Sequence, residues 1–278
     1  MTNAFSRECP ICGSSKKEPQ LAELSLCLTC GAVYNLAWEV IVYEDDYFTN
    51  GYKVQYGRTY EEDFPQIYAA AQNRLARINH IQKKYNRSNT KKKSLLDIGC
   101  ALGFFLKAAS DAGFANVEGI EVSSYAADYC KKNYNFHVRC EPFEQVAEIG
   151  TFDVISAWYF LEHCENPIDV TAKIYASLPH GGVFAFSVPS VFGPMYSFKR
   201  QEWAATRPKD HLIDLSPHSV KVLLRKVGFR KVKVYAAGFH PERVVPEDSF
   251  FYNVFAKLYR LFTAKSGYSD TIEVYAVK

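Results

Sequence analysis

The sequence predicts a doubly wound α/β fold, a parallel sheet with helices on both faces, preceded by a small four-cysteine segment. Three observations carry this expectation. From residue 94 onward, short apolar runs alternate with helical patterns. A glycine-rich turn, Leu95-Leu96-Asp97-Ile98-Gly99-Cys100-Ala101-Leu102-Gly103-Phe104-Phe105-Leu106, joins the first such run to the first such helix. Two Cys-x-x-Cys knuckles, Cys9/Cys12 and Cys27/Cys30, open the chain.

Taken in order, residues 1–42 form the cysteine segment and 43–93 a connector, and 94–278 hold the main domain. The connector begins with the aromatic and acidic stretch 43–64. A helical face follows, with Tyr68, Ala71, Leu75, Ile78, Ile81 and Tyr85 spaced by three and four. The basic, polar run 86–93 reads as a linker. In the main domain, strands are expected at 94–98, 116–121, 136–140, 152–158, 183–188, 230–235 and 271–277. Helices are expected at 104–111, 124–133, 168–178 and 216–227. Ser123 or Ser124 caps the second of these helices. Ser216 caps the last, with Pro217 at its first position. Between the final two strands, Phe250, Phe251, Val254, Phe255, Leu258, Leu261 and Phe262 mark one helical face over 246–267. It is expected to pack on the domain or on a partner subunit, which would make a homodimer. A membrane-surface helix would need more basic residues.

Composition narrows the function classes. The chain has 278 residues, with 33 Lys+Arg against 30 Asp+Glu, a net charge of +3 too balanced to point to nucleic acid. The longest uncharged stretch, 174–198, is broken by three prolines, so no membrane span is expected. The first ten residues carry Arg7 and Glu8 and no apolar run, which predicts no secretory leader and a cytoplasmic protein. The eight cysteines are then expected as reduced thiols or metal ligands. Cys9, Cys12, Cys27 and Cys30 supply four soft thiolates from two knuckles. That donor set predicts a closed structural zinc site, with an iron–sulfur site as the alternative.

The glycine turn predicts a nucleoside site. Glu121 ends the second strand, 18 residues after Gly103, where a carboxylate can take both ribose hydroxyls. A dinucleotide fold would place its helix N–H groups on a pyrophosphate. Here Asp97 precedes the first glycine by two residues and would repel phosphate. It suits a nucleoside with an ammonium-bearing tail, which describes S-adenosylmethionine.

With these motifs the chain resembles the class I S-adenosylmethionine-dependent methyltransferases, in particular bacterial small-molecule and saccharide methyltransferases with an N-terminal zinc segment. The landmarks are the two knuckles and the segments at 46–52, 95–106, 119–123, 152–167, 178–190 and 209–229. The resemblance implies a Rossmann-like sheet of seven strands, the last antiparallel. It also implies that Asp97, Gly99, Cys100 and Gly103 surround the methionine part of the cofactor. Glu121 would hold the ribose, with Val122, Pro142 and Phe143 beside the adenine and Ala157 and Trp158 facing the sulfonium. Ala101 departs from the family's middle glycine.

Methyl transfer needs alignment above all, and a hydroxyl acceptor also needs a base. His163 is the first candidate, with Glu162 as its helper, because both follow the fourth strand of the main domain. His211, in the long loop after the fifth, is the second. The expected acceptor is a small molecule, most specifically a hydroxyl of a sugar or saccharide-type natural product. The alternatives are C-methylation of a nucleotide-linked keto sugar, RNA methylation, or a non-catalytic cofactor-binding module. The tyrosine-rich stretch 43–64 is expected either to close over the site or to pack the zinc segment onto the domain.

Overall fold

The computed structural model describes residues 7–21, 23–36, 48, 51–85 and 93–278. Most of the expected linker, and residues 43–47, 49 and 50 of the expected lid, lie outside the described residues. The early elements are β1 (Lys17–Pro19), β2 (Leu24–Cys27), β3 (Val33–Asn35), α1 (Tyr52–Tyr56) and α2 (Phe64–Tyr85). Then come β4 (Ser94–Ile98), α3 (Phe104–Asp111), β5 (Asn116–Glu121), α4 (Ser124–Tyr134), β6 (His137–Cys140) and β7 (Val154–Trp158). A single 3-10 turn at Leu161–His163 leads to α5 (Pro167–Ser177) and β8 (Val183–Pro189). Next are α6 (Pro194–Phe198), α7 (Arg200–Thr206), β9 (Ile213–Asp214) and α8 (Pro217–Val227). The chain ends with β10 (Lys231–Ala237), α9 (Tyr252–Ser266) and β11 (Thr271–Val277).

The strands order as a seven-stranded sheet, β10-β11-β8-β7-β4-β5-β6, and a four-stranded one, β1-β2-β3-β9. β4 runs parallel to both β5 and β7, and β5 to β6. The last strand is antiparallel, as the resemblance implies. Lys278, just past β11, exchanges backbone hydrogen bonds with Gly181 and Gly182, just before β8 (2.9 and 3.0 Å). At the other end, Ser190 N–H donates to Asp270 O (3.0 Å). The end of β11 thus meets the start of β8.

Two compact units interleave along the chain. The first comprises residues 41–158, 173–185 and 275–278. Its core packs α2 (Leu75, Ile78, Ile81) and α3 (Leu106, Ala109) with strand residues Leu95, Val154, Val183 and Tyr275. α4 starts because the Ser123 hydroxyl accepts from Ala126 N–H (3.2 Å), and it stops at Asn135 in the left-handed region. The second unit comprises residues 1–40, 159–172 and 186–274. There β3 pairs antiparallel with β9, Val33 opposite Asp214 and Tyr34 opposite Ile213. Leu24, Val33, Val191 and Tyr196 form a small core beside that sheet. Ser216 and Ser219 form a reciprocal capping box on α8, with Pro217 at its first position.

Of the two packings expected for the apolar face over 246–267, on the domain or on a partner subunit, the first is not seen for most of its residues. The buried positions of α9 are Tyr259 and Thr263, while Phe250, Phe251, Val254, Leu258, Leu261 and Phe262 are exposed. The helix is anchored by its tyrosine, whose hydroxyl donates to Asp270 Oδ2 at 2.5 Å. Among the described residues, no helix is long and apolar enough to cross a membrane.

Candidate active site

The first unit builds a cradle at the end of β4. The turn places Gly99, Ala101 and Gly103 all at positive φ (68°, 49° and 76°). At Gly103 a Cβ would lie 2.7 Å from Cys130 Sγ, so the position admits glycine alone. Ala101 carries a Cβ in the same region, at a cost of about 1 kcal/mol. Its N–H, donated to Glu121 Oε2 at 2.8 Å, holds it there. The other carboxylate oxygen of Glu121 accepts from Val122 N–H (2.8 Å) and Ser123 N–H (3.1 Å). Burial raises the Glu121 pKa, and these three N–H groups act against that rise. Loop and acid are therefore tied into one piece, and Oε2, which accepts a single N–H, retains acceptor capacity for a hydroxyl. Cys100 is buried beneath the loop, its thiol pushed up by Cys130 and by burial, so it packs rather than reacts.

Asp97 is buried on β4 and accepts from Ser156 Oγ at 2.6 Å. Burial pushes its pKa up to about 7, against the pull of Ser156 and of the Arg74 charge. The Arg74 guanidinium stacks 4.1 Å above the Trp158 ring, and Phe105 lies 5.0 Å from it on centroids. Trp158 Nε1 is buried with no hydrogen-bond partner among the described residues. Ala157 is fully buried beside it. Phe143 is buried under Lys173, whose ammonium sits 4.6 Å over the ring and donates to Phe143 O (2.7 Å) and Val146 O. Pro142 is half-buried, and Val122 exposed. The described part of 43–64 packs against this unit's own helices. Tyr60 lies 5.4 Å from Phe104, Phe48 6.3 Å from Tyr125, and Tyr125 OH donates to Glu61 (3.1 Å). A glycine-rich loop with three residues at positive φ, a buried carboxyl poised near neutrality and an acid at the second strand end fit a nucleoside bearing an ammonium group.

The second unit holds two clusters. In the first, the sulfurs of Cys9, Cys12, Cys27 and Cys30 all lie within 4.8 Å of one another. Cys9 to Cys30 and Cys12 to Cys27 are each 3.5 Å apart. Four thiolates at about 2.3 Å from one zinc would be separated by a similar distance. Backbone N–H groups of Ile11, Cys12, Ser14 and Ala32 face the sulfurs. Without a cation the thiols oppose one another. The hydrogen bond with Cys30 lowers Cys9 to about 5 while Cys30 itself is pushed up. A central divalent cation removes that conflict, so the residues fit zinc.

The second cluster brings together Glu162, His163 and His211, one ligand atom of each lying within 4.8 Å of the others. The 3-10 turn after Trp158 supplies the first two. Glu162 is buried, neither carboxyl oxygen has a hydrogen-bond partner among the described residues, and burial raises its pKa well above the usual range. His163 Nδ1 lies 3.1 Å from Asp210 O and 3.3 Å from Asp210 Oδ2. Burial, then the neighbouring His211, lowers the His163 pKa. The two imidazoles meet edge to face at 5.0 Å. His211 Nδ1 is 3.9 Å from Asp214 Oδ1, and Asp214 pairs with Arg207. Strand β3 of the four-cysteine segment fixes this corner. Asn35 Nδ2 donates to His211 O (2.8 Å), Asn35 N–H to Leu212 O (3.0 Å), and Leu212 N–H to Glu162 O (2.7 Å).

Residues 66–234 match the family model described as a methyltransferase domain, more than half of the chain. The chain belongs to the class I S-adenosylmethionine-dependent methyltransferases.

This methyltransferase is 32% identical over 122 residues to the ubiquinone biosynthesis O-methyltransferase of Actinobacillus pleuropneumoniae, covering 40% of the chain and 51% of the relative. It is 25% identical over 150 residues to the tRNA U34 carboxymethyltransferase of Pseudoalteromonas translucida, covering 52% and 47%. The chain therefore spans about half the length of these curated relatives. Among solved structures, an S-adenosylmethionine-dependent methyltransferase from Archaeoglobus fulgidus superposes with a TM-score of 0.54 at 18% identity, covering 79% and 98%. The plantazolicin methyltransferase BpumL, bound to a desmethylPZN analog and SAH, gives 0.53 at 14%, covering 83% and 88%. These last two likenesses support the fold.

Several residues that hold these groups are not evident from the sequence. Ser156 and Arg74 act on Asp97, while Asp210, Arg207, Asp214 and Asn35 hold the histidines. Asp210 adjoins His211, but nothing in the sequence shows that its carbonyl and carboxylate serve His163 instead.

Proposed function

We propose that this protein transfers a methyl group from S-adenosylmethionine to a hydroxyl of a small molecule, a sugar or saccharide-type natural product. The observation that carries the reading is the nucleoside cradle, in which the glycine turn is tied to Glu121 and the buried Asp97 carboxyl lies on β4 beside it. When bound, S-adenosylmethionine supplies an electrophilic methyl whose S–C bond breaks with the electron pair left on sulfur as the acceptor oxygen bonds to carbon. Asp97 meets the ammonium of that ligand, Glu121 its ribose, and Val122, Pro142 and Phe143 its adenine, with Ala157 and Trp158 toward the sulfonium. The acceptor's proton leaves at the Glu162–His163–His211 cluster. His163 is the leading base, since Asp210 anchors its Nδ1 and the depressed pKa keeps the ring neutral and able to accept a proton at Nε2. His211 is the alternative.

In this reading the described aromatic residues Phe48 and Tyr60 belong to the acceptor-side lid. Zinc fills the four-cysteine site as a structural ion, and reduced thiols suit a cytoplasmic location. The exposed face of α9 is where a second copy would complete a homodimer. The relative named for ubiquinone O-methylation favours a small-molecule acceptor, whereas the tRNA-directed relative keeps a nucleic acid as the second reading. Incubation with labelled S-adenosylmethionine and panels of sugars, nucleotide sugars, phenols and tRNA tests this directly. Label entering a saccharide hydroxyl supports the reading, and label entering tRNA alone overturns it.

A further inference from the structure

We infer that Glu162, His163 and His211 hold a second divalent metal ion, distinct from the four-cysteine site. Two imidazoles and one carboxylate with their ligand atoms within 4.8 Å form a donor set for a borderline transition cation such as iron(II), cobalt(II), manganese(II) or zinc. Three protein ligands leave coordination positions open.

The surroundings support this assignment independently of the spacing. Glu162 is 1% exposed, and its carboxyl makes no hydrogen bond among the described residues. A buried carboxyl with nothing to pair with is costly, and a bound cation supplies the missing partner. His163 is oriented through Nδ1 by Asp210. That is how ligating histidines are held, with the outer nitrogen bonded to a carboxylate or carbonyl and Nε2 turned to the metal. His211 Nδ1 likewise has no hydrogen bond among the described residues. Asp214, the nearby carboxylate, is neutralised by Arg207 and leaves the ion to the three ligands. β3 clamps the His211–Leu212 backbone through Asn35, and Leu212 N–H carries the tie on to Glu162 O, so the four-cysteine segment acts as the brace of a second metal site.

This deepens the proposed function. An ion here lowers the pKa of a coordinated acceptor hydroxyl, whose proton passes to water. His163 then serves as a ligand in place of a base. Oxygen acceptors with adjacent donor groups, such as vicinal diols or catechols, match the open positions.

The test is a titration of zinc-loaded full-length protein with cobalt(II) alone, followed by visible absorption. One saturable site with weak d–d bands, free of the sulfur charge-transfer bands of a thiolate site, is expected. His211→Ala and Glu162→Gln should each weaken it about 100-fold or more, and Asp210→Asn about 10–100-fold. Calorimetric binding of S-adenosylmethionine by the same variants shows that they are folded. Absence of a saturable cobalt site in the wild type, or an unchanged site in His211→Ala, overturns the inference. Failure of the methyl-transfer reading is separable, because metal binding is read without any acceptor.

Discussion

The two units of this methyltransferase solve opposite problems. The cradle satisfies its two carboxyl groups internally. Glu121 accepts three backbone N–H groups, and Asp97 accepts from Ser156. The ribbon unit, the one that carries the four-cysteine cluster, leaves Glu162 and His211 Nδ1 without hydrogen bonds among the described residues, while Asn35 and Leu212 fix their backbone and Asp210 holds His163 between them. Rigid satisfaction suits a cofactor common to a whole family. Braced but unsatisfied groups suit a place where an acceptor, a proton or an ion must arrive.

The largest expected effect separates the units by ablation. Cys27→Ser removes one of the four thiols proposed to hold zinc and should loosen β3 and with it the His211 corner. Turnover should fall at least about 100-fold, in line with lost general acid–base or metal chemistry, while S-adenosylmethionine affinity changes by less than about threefold. Parallel kinetics and calorimetry read both quantities. An equal fall in the two would merge the units functionally. Next in size, Gly103→Ala pushes a methyl against Cys130 Sγ and should destabilise the protein by about 1–3 kcal/mol in urea unfolding.

A pH series sharpens the cradle side. Asp97 titrates near 7 in the folded chain against an ordinary value of 3.8. Between those values the folded state holds a proton that the unfolded state has released, so this group's contribution to stability declines as pH rises from about 4 to about 7. Asp97→Asn should remove that decline. Binding of an ammonium-bearing cofactor favours the ionised form, so affinity should rise toward pH 7 and level off above it. In the Asn variant it should be weak and flat. The smallest effect is Ala101→Gly, which relieves left-handed strain but adds unfolded-state freedom, for a net change within about 1 kcal/mol. Differential scanning calorimetry resolves that difference.

The cradle was largely legible in the sequence because its chemistry is local. Asp97, Gly99 and Gly103 lie within one turn, and Glu121 follows after one helix and one strand. The last strand's direction came from the family resemblance, since periodicity carries no direction. The ribbon unit was less legible. Glu162, His163 and His211 were each singled out, but what holds them comes from three distant segments. β9 is two residues long, too short for any pattern, yet its pairing with β3 links the cysteine segment to His211. α6 and α7 fall between Pro194 and Pro208, where breaks in periodicity hid them. In α9 the apolar spacing gave the helix, but spacing cannot say whether a face meets protein or solvent.

The division of labour is tested most directly by titrating S-adenosylmethionine into wild type, Asp97→Ala and His163→Ala by calorimetry. The account predicts one site per chain in the wild type, at least about tenfold weakening in Asp97→Ala, and unchanged affinity in His163→Ala. Equal weakening in both variants, or full affinity in Asp97→Ala, would contradict it.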